Sequence, residues 1–270
     1  EFVNGDVRNK ELVSDLISKT DRVFHLAAAV GVKYILERPL ETIQTNVKGT
    51  EIVLEFCLKY DKRVVIFSTS EVYGKNSKLP FREDDDRLMG TTLKMRWAYA
   101  ASKALDEFLS IAYNREKNLD VIIVRLFNTV GIGQVSEYGM VIPRFIKQAL
   151  VDEDITIYGD GKQTRCFCNV KDVVLALSEL IDKDEAIGQI YNIGTEERVS
   201  IFDLAELIIK ITGSKSKITF TPINEVLGDD FEDMLHRVPD TTKIRSLINF
   251  SPSYNLEETL REVIEYNSLN

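Results

Sequence analysis

Apolar and polar positions along the first half of the chain form two alternating kinds of segment. Short apolar runs rich in β-branched residues predict buried strands at residues 23–26, 64–67 and 121–126. Apolar residues at helical spacing predict helices over residues 10–19, 39–60 and 97–117. Strands that alternate with helices favour a parallel sheet covered by helices on both faces. Phe2 and Val3 also predict the end of a strand ahead of the first helix.

From about Gly131 the pattern changes to shorter and more mixed elements. It predicts helices over residues 141–150, 170–181, 201–212, 242–247 and 256–266, and short strands at 155–158 and 190–193. Gly213 stands where the third of these helices should end, since glycine adopts the left-handed conformation that closes a helix. The second half therefore predicts some elements that return to the sheet and others that form a small mixed α/β lobe.

Charge and hydropathy narrow the class of protein. The 270 residues carry a formal net charge of −9, and the sequence pI is about 5.0. Nucleic-acid binding is a poor expectation for so acidic a chain, because it requires a basic surface. A membrane-spanning helix needs about 18 consecutive apolar residues, and no such run occurs. No signal peptide is recognisable either, so we expect neither a nucleic-acid partner nor a membrane partner.

The cysteines and acidic residues do not predict a metal site. Cys57, Cys166 and Cys168 are few and odd in number, which favours free thiols in a reducing compartment such as the cytoplasm. Cys166 and Cys168 are interpreted as packing residues, since the pair lacks the further ligands that a metal needs. The acidic run at residues 83–86 is interpreted as a solvated loop. We therefore expect no metal.

Tyr99 and Lys103 are the first candidates for chemistry. They stand four residues apart in W-A-Y-A-A-S-K, a spacing that places both on one face of a helix. A lysine ammonium beside a phenol favours the phenolate, so we expect the pKa of Tyr99 to be lowered. Such a tyrosine can take a proton from a substrate hydroxyl. The spacing alone is a weak signal, because surface helices carry such pairs by chance.

Four further motifs give the pair its context. They are H-L-A-A at residues 25–28, T-N-V-K-G-T at 45–50, S-T-S-E-V-Y-G at 68–74 and R-L-F-N-T-V-G at 125–131. In this order and spacing, with Tyr99 and Lys103, the set resembles the extended short-chain dehydrogenase/reductases, the NAD-dependent epimerase/dehydratase family that acts on nucleotide sugars. The resemblance covers essentially the whole chain.

The resemblance implies a fold and a cofactor. Residues 1–130 would form a Rossmann-type, doubly wound, NAD-binding domain to which residues 159–194 partly return. Residues 131–158 and 195–270 would form mainly the substrate-binding lobe. The glycine-rich turn G-x-G-x-x-G, which cradles a dinucleotide pyrophosphate, does not occur in the sequence. Either the chain never had this turn or its first βαβ unit is missing. We expect the second, because the first residues read like the third strand of such a sheet.

Residue roles follow from the same resemblance. The catalytic set would be Thr69, Tyr99 and Lys103, with Glu71 assisting if the reaction is a decarboxylation. The cofactor-binding set would be Asp6, Val7, Leu26, Ala27, Ala28, Asn46 and Ser68, together with Tyr99 and Lys103. The nucleotide sugar would contact Ser70, Asn128, Tyr158, Arg165 and Arg237. Arginine suits a diphosphate, because its planar fork matches phosphate oxygens.

The type of reaction stays open between four readings. Ser70 stands where the 4,6-dehydratases of the family usually carry an aspartate, which argues against dehydration. The triplet Thr69-Ser70-Glu71 resembles UDP-glucuronate decarboxylases, whereas the segment at residues 139–145 is more typical of 4-epimerases. We expect a UDP-hexose 4-epimerase acting through a 4-keto intermediate. The alternatives are a UDP-glucuronate decarboxylase (UDP-xylose synthase), a 4,6-dehydratase and an inactive relative that binds NAD and nucleotide sugar. A homodimer through two helices per subunit is also implied.

Overall fold

The structure is a computed structural model that describes residues 1–135, 140–228, 231–232 and 234–269. The strands are β1 (Arg22–His25), β2 (Arg63–Thr69), β3 (Val121–Leu126), β4 (Thr129–Val130), β5 (Ile155–Tyr158), β6 (Thr164–Arg165), β7 (Cys168–Asn169), β8 (Ile190–Ile193), β9 (Val199–Ser200) and β10 (Ile218–Thr221). The helices are α1 (Lys10–Ser18), α2 (Val32–Glu37), α3 (Pro39–Lys59), α4 (Trp97–Lys117), α5 (Val141–Leu150), α6 (Val170–Leu180), α7 (Ile201–Thr212), α8 (Ile223–Leu227), α9 (Thr242–Ile248) and α10 (Leu256–Leu269).

The main sheet positions the site. Among the described residues it has four parallel strands in the order β1-β2-β3-β8. The register places His25 beside Ile66 and Thr69 beside Leu126. All four strands therefore end at the same edge of the sheet, which is where parallel sheets bind ligands. The parallel α/β sheet predicted from the alternating pattern is confirmed.

Helices cover both faces of this sheet. Val64 and Ile66 of β2 point to one face and pack in a cluster with apolar residues of α1, α3 and α4. Val65, between them, points to the other face and packs with α6 and α9. Because both faces of β2 are buried, the strand is apolar at successive positions and does not alternate with polar residues. The doubly wound arrangement is thus confirmed.

A separate hydrophobic cluster lies in the second half of the chain. It joins apolar residues of α5, α7 and α10 to Ile155 and Ile157 of β5. β5 pairs in parallel with β10, while β6 pairs antiparallel with β9. The predicted boundaries between a cofactor domain and a substrate lobe stay a prediction.

Several local predictions need correction. The strand predicted at Phe2 and Val3 is wrong, because residues 1–6 have no regular secondary structure and Phe2 is fully exposed. Without a described neighbouring strand, its apolar character has nothing to pair with. Helices α2 and α8 were not predicted, since six and five residues are too short to show a helical period. Gly139, which opens the segment typical of 4-epimerases, lies outside the described residues.

The cysteines behave as predicted. Cys57, Cys166 and Cys168 are free and buried, and burial raises the pKa of each thiol to about 12. They are therefore packing residues. Within the described part of the chain, no helix combines the length and the apolarity that crossing a membrane requires.

Candidate active site

Thr69 and Tyr99 meet where β2 ends. Thr69 is the last residue of the strand, and its hydroxyl accepts a hydrogen bond from the Glu71 backbone N–H at 3.3 Å. This bond caps a short 3-10 helix over Ser70–Tyr73. The Thr69 hydroxyl also lies beside the phenol of Tyr99, which projects from the first turn of α4. The structure thus brings together two residues that the sequence assigned to catalysis.

Lys103 occupies the same face of α4 as Tyr99, one turn further on. Its ammonium donates to Asp106 Oδ2 at 2.7 Å, and both side chains are buried. Burial, and after it the negative charge of Glu71, raises the pKa of Tyr99 well above its ordinary value. The prediction of a lowered pKa is therefore wrong for this structure, because burial of the phenol, together with the negative charges of Glu71 and Asp106, disfavours its ionisation.

Glu71 is held between two arginines. Arg96 donates to Oε2 at 2.5 Å, and Arg237 donates to Oε1 at 3.3 Å. Burial opposes the charge on Glu71, but the guanidinium groups outweigh it and lower the pKa of the carboxyl to about 2. Arg165 adds a smaller effect in the same direction. Glu71 is consequently an anion at neutral pH, placed two residues from Thr69.

Asn46 on α3 braces the backbone around the site. Its Oδ1 accepts from the Ala29 N–H at 2.7 Å, and its Nδ2 donates to Ser102 Oγ at 3.0 Å. Ser102 in turn donates to the Tyr99 carbonyl at 2.8 Å. The fully buried amide therefore ties the loop after β1 to the catalytic helix.

The residues assigned to NAD lie along the edge where β1 and β2 end. Leu26 and Ala27 are exposed and Ala28 is half-buried, so they form a wall of mostly small residues beside the braced Ala29. Ser68 is buried in β2, and its hydroxyl donates to Glu107. An open wall of small side chains with a fixed backbone fits a flat ring such as nicotinamide.

Asp6 and Val7 lie just before α1. The Asp6 carboxylate pairs with Arg8 at 2.6 Å, and this contact lowers the pKa of Asp6 to about 2. Val7 packs against Gly49 of α3, where an added Cβ would come within 2.7 Å of Val7 Cγ1. Glycine at that position lets the turn before α1 approach α3 closely. These two residues thus border the same side of the fold as the wall after β1.

The predicted substrate residues divide into two groups. Arg165 and Arg237 lie near Glu71, and Arg165 also donates to the backbone carbonyls of Thr164 and Leu235. Asn128 follows β3 with a positive φ of 29° and donates to the Cys166 carbonyl at 3.0 Å. The backbone of that loop is therefore joined to the segment before β7.

Ser70 and Tyr158 are placed differently. Ser70 is buried with 1% of its surface exposed, so its hydroxyl faces protein. Tyr158 ends β5, and the Arg144 guanidinium carbon lies 3.9 Å from its ring centroid. The described contacts of Tyr158 are with Arg144 and Gln163, and none joins it to Tyr99 or Glu71.

Two buried charged residues of the site were missed in the sequence. Arg96 directly precedes α4, where a positive charge opposes the helix dipole, and that conflict was an available signal. Asp106 stands three residues after Lys103, a spacing that already placed both on one helix face. Among the described residues, no group of three or more His, Cys, Asp or Glu side chains is placed to hold a metal ion.

Comparison with known proteins settles the family. The family model described as GDP-mannose 4,6 dehydratase matches residues 1–263. The chain belongs to this family. Membership confirms the resemblance to the NAD-dependent epimerase/dehydratases and, at the level of the family, the expected class of enzyme and its NAD cofactor.

Members of the family that are similar to this chain include decarboxylases and epimerases. A UDP-N-acetyl-α-D-glucosaminuronate decarboxylase of Bacillus cytotoxicus is 44% identical over 261 residues, which cover 96% of this chain and 80% of that protein. UDP-glucuronic acid decarboxylase 1 of Danio rerio is 32% identical over 97% of this chain, which spans only 61% of that protein. The structure of a Bacillus cereus UDP-glucuronic acid 4-epimerase, in complex with UDP-glucuronic acid and NAD, aligns with a TM-score of 0.89. That alignment covers 100% of this chain and 82% of the other at 28% identity.

Proposed function

We propose that this chain is an NAD-dependent decarboxylase of a UDP-linked hexuronic acid. Both decarboxylases above support it, one of them at 44% identity. The triplet Thr69-Ser70-Glu71 supports it as well. Ser70 stands where a 4,6-dehydratase usually has an aspartate that acts as the acid, and this argues against dehydration. The hexose 4-epimerase that we expected from the sequence becomes the second candidate, favoured by the similarity to a UDP-glucuronic acid 4-epimerase.

The observation that carries the proposal is the ionised Glu71. A 4-epimerase needs a base at the C4 hydroxyl, and Tyr99 can perform that task. Its reaction does not require an anionic carboxylate beside that base. Glu71 is 12% exposed, lies next to Thr69 and is kept charged by Arg96 and Arg237. Glu71 holds the guanidinium groups of Arg96 and Arg237 beside Thr69, where they would receive a substrate carboxylate, a group that a UDP-hexose lacks.

The chain's residues have separate tasks in this reaction. Tyr99 takes the proton of the C4 hydroxyl, and Thr69 holds that hydroxyl by a hydrogen bond. Lys103 supplies the positive charge beside the phenol. When bound, NAD would accept the hydride from C4 and later return it. A ketone at C4 leaves the C5 carboxylate β to a carbonyl, so the bond between C5 and the carboxyl carbon breaks as CO₂ leaves, and its electrons pass into that ketone as an enolate. C5 then takes up a proton, and Tyr99 returns its proton to the C4 oxygen when the hydride comes back to C4.

The cofactor and the substrate would be held by the two sets of residues already placed. Leu26, Ala27 and Ala28 would line the nicotinamide side, with Asn46 fixing their loop. Asp6 and Val7 would border the adenine side. Arg165 and Arg237 would meet the anionic groups of the nucleotide sugar, since both guanidinium groups lie near Glu71.

The test is to incubate the protein and NAD separately with UDP-glucuronic acid, UDP-N-acetylglucosaminuronic acid and UDP-glucose. We expect release of CO₂ and formation of a UDP-pentose from one of the two uronic acids. NMR of the nucleotide sugar identifies the product. A UDP-galacturonic acid or UDP-galactose product without CO₂ would establish the epimerase instead. NAD binding measured by calorimetry in parallel shows whether the chain takes up its cofactor.

We also propose a homodimer through α3 and α4. These helices pack side by side and expose Ile43, Leu105 and Phe108, with Phe108 58% exposed. Apolar surface on neighbouring helices is typical of protein interfaces. Light scattering should give twice the monomer mass for the parent chain and the monomer mass for Leu105→Glu/Phe108→Glu. Leu175→Glu on α6, equally exposed, is the matched control and should leave the mass unchanged.

A further inference from the structure

A buried ion pair lies one helical turn beyond Tyr99. Lys103 Nζ donates to Asp106 Oδ2 at 2.7 Å, with 2% and 0% of the two side chains exposed. The other carboxylate oxygen, Asp106 Oδ1, accepts no hydrogen bond from any residue that the structure describes. A carboxylate present only for packing would have both oxygens satisfied, because a buried unpaired oxygen is costly. Asp106 therefore calls for a role beyond structure.

The histidine near this ion pair is neutral. His25, at the end of β1, shares a hydrogen bond with the Thr50 hydroxyl of α3 at 3.1 Å. Burial, and then the charge of Lys103, lowers the pKa of His25 to about 3. At neutral pH His25 thus adds no charge opposite Asp106.

Other buried charged groups near the site also form ion pairs. Glu107 binds Arg125 of β3 at 2.7 Å, and it also accepts from Ser68 of β2. Glu71 and Arg96 form their own pair on the Thr69 side of Tyr99. Lys103 and Asp106 form a buried charged pair on the helix of Tyr99, and the charged groups that act on the pKa of Tyr99 include Glu71, Asp106 and Arg96.

We propose that Asp106 is a positioning residue for Tyr99: its carboxylate fixes the Lys103 ammonium one helical turn beyond the phenol and, when ionised, places a negative charge on the same helix. An ammonium has three donors, so the bond to Asp106 leaves two for other acceptors. The negative charge of Asp106 contributes to the raised pKa of Tyr99. Tyr99 is thereby kept protonated until further positive charge enters the site with the cofactor, which rests on the proposed NAD-dependent function.

Two substitutions separate the charge of Asp106 from its hydrogen bond. Asp106→Asn keeps an oxygen that accepts from Lys103 but loses the charge, whereas Asp106→Ala loses both. Both should move the acid limb of kcat/KM to lower pH by about one unit, because the phenolate no longer faces a buried anion. Only Asp106→Ala should weaken NAD binding, by about tenfold, since Lys103 is no longer held.

The control is Asp172→Asn. Asp172 is also buried, but it accepts from the backbone N–H groups of Ser253 and Tyr254 in the α6 region, away from the catalytic helix. It should lower stability without moving the pH profile or the NAD affinity. An acid limb in folded Asp106→Asn that coincides with the parent's would overturn the proposal.

One further variant and a readout that does not depend on turnover keep the test decisive. If Asp106→Asn does not fold, Asp106→Glu retains the charge but moves it by one methylene, so NAD binding should weaken several-fold. An unchanged NAD affinity in Asp106→Glu would refute the positioning role. Calorimetric NAD binding does not depend on turnover. If the parent is inactive on all three nucleotide sugars, the proposed function fails, and the affinities of the Asp106 variants still decide the role of Asp106.

Discussion

The guanidinium of Arg96 lies 2.5 Å from the carboxylate of Glu71, and the two side chains are 1% and 12% exposed. The contact joins the residue preceding α4 to the second residue of the short 3-10 helix that follows β2. It therefore fixes the distance between the two elements that carry Tyr99 and Thr69. A buried ion pair of this kind is a weak source of stability but a strong constraint on geometry.

Replacing Arg96 should lower the free energy of unfolding. Arg96→Met leaves the Glu71 carboxylate with the longer contact to Arg237 at 3.3 Å, and we expect a loss of about 3–5 kcal/mol in the free energy of unfolding. Urea denaturation measures it. Arg22→Met is the matched control, because Arg22 meets Asp182 at an exposed site and should cost at most about 1 kcal/mol. Equal losses in the two variants would contradict the buried pair.

Stability should depend on Glu71 in acid. Its pKa in the folded chain is lowered from 4.5 to about 2, so its ionisation stabilises the fold above the unfolded pKa. That contribution is lost as the pH falls from about 5 towards 2. The difference in unfolding free energy between the parent and Glu71→Gln should be constant between pH 6 and 8 and should shrink below pH 5. Urea midpoints at pH 7 and pH 3.5 measure it, and a difference that grows in acid would rule this out.

Removing the Tyr99 hydroxyl should affect chemistry more than folding. Tyr99→Phe is expected to lower kcat by about 10²–10⁴-fold, the usual range for an acid–base group. Tyr113→Phe changes a tyrosine on the same helix and serves as the control. Steady-state rates and thermal unfolding are measured for both. Near-parental turnover of Tyr99→Phe would remove Tyr99 from its proposed role.

Asn46 should control the loop after β1. Asn46→Ala removes the acceptor of the Ala29 N–H and the donor to Ser102, so the Ala29 amide should exchange with deuterium at least tenfold faster. Asn46→Asp keeps the acceptor and should retain most of the protection of that amide. Hydrogen exchange followed by NMR makes the comparison. Equal exchange rates in the parent and Asn46→Ala would mean that Asn46 does not brace the loop.

Much of the fold could be predicted from local sequence. Helix α4 and strand β3 have the bounds that their patterns indicate, because their apolar spacing is long and regular. The strand predicted at Phe2 and Val3 is wrong, since a strand exists only where a neighbour pairs with it. Short elements such as α8 were missed because five residues carry too little pattern.

The candidate site could be predicted only in part. Thr69, Tyr99 and Asn46 were found as members of motifs. The structure places Thr69 beside Tyr99 and links Asn46 through Ser102 to the Tyr99 carbonyl. Arg96 and Asp106 belong to no motif that we recognised, so the sequence did not show that their side chains are buried. The pKa of Tyr99 was predicted in the wrong direction, because neither the burial of its phenol nor the proximity of Glu71 and Asp106 was known.

By itself, the sequence determined the parallel α/β class, the bounds of the long helices and the family, since apolar periodicity and motif spacing are local properties. The tertiary structure alone decided the electrostatics of the site. Glu71 meets Arg96 from 25 residues away and Arg237 from 166 residues away, at an edge of the sheet that exists only after folding. Charge interactions depend on distance and burial, and neither can be read from the order of residues.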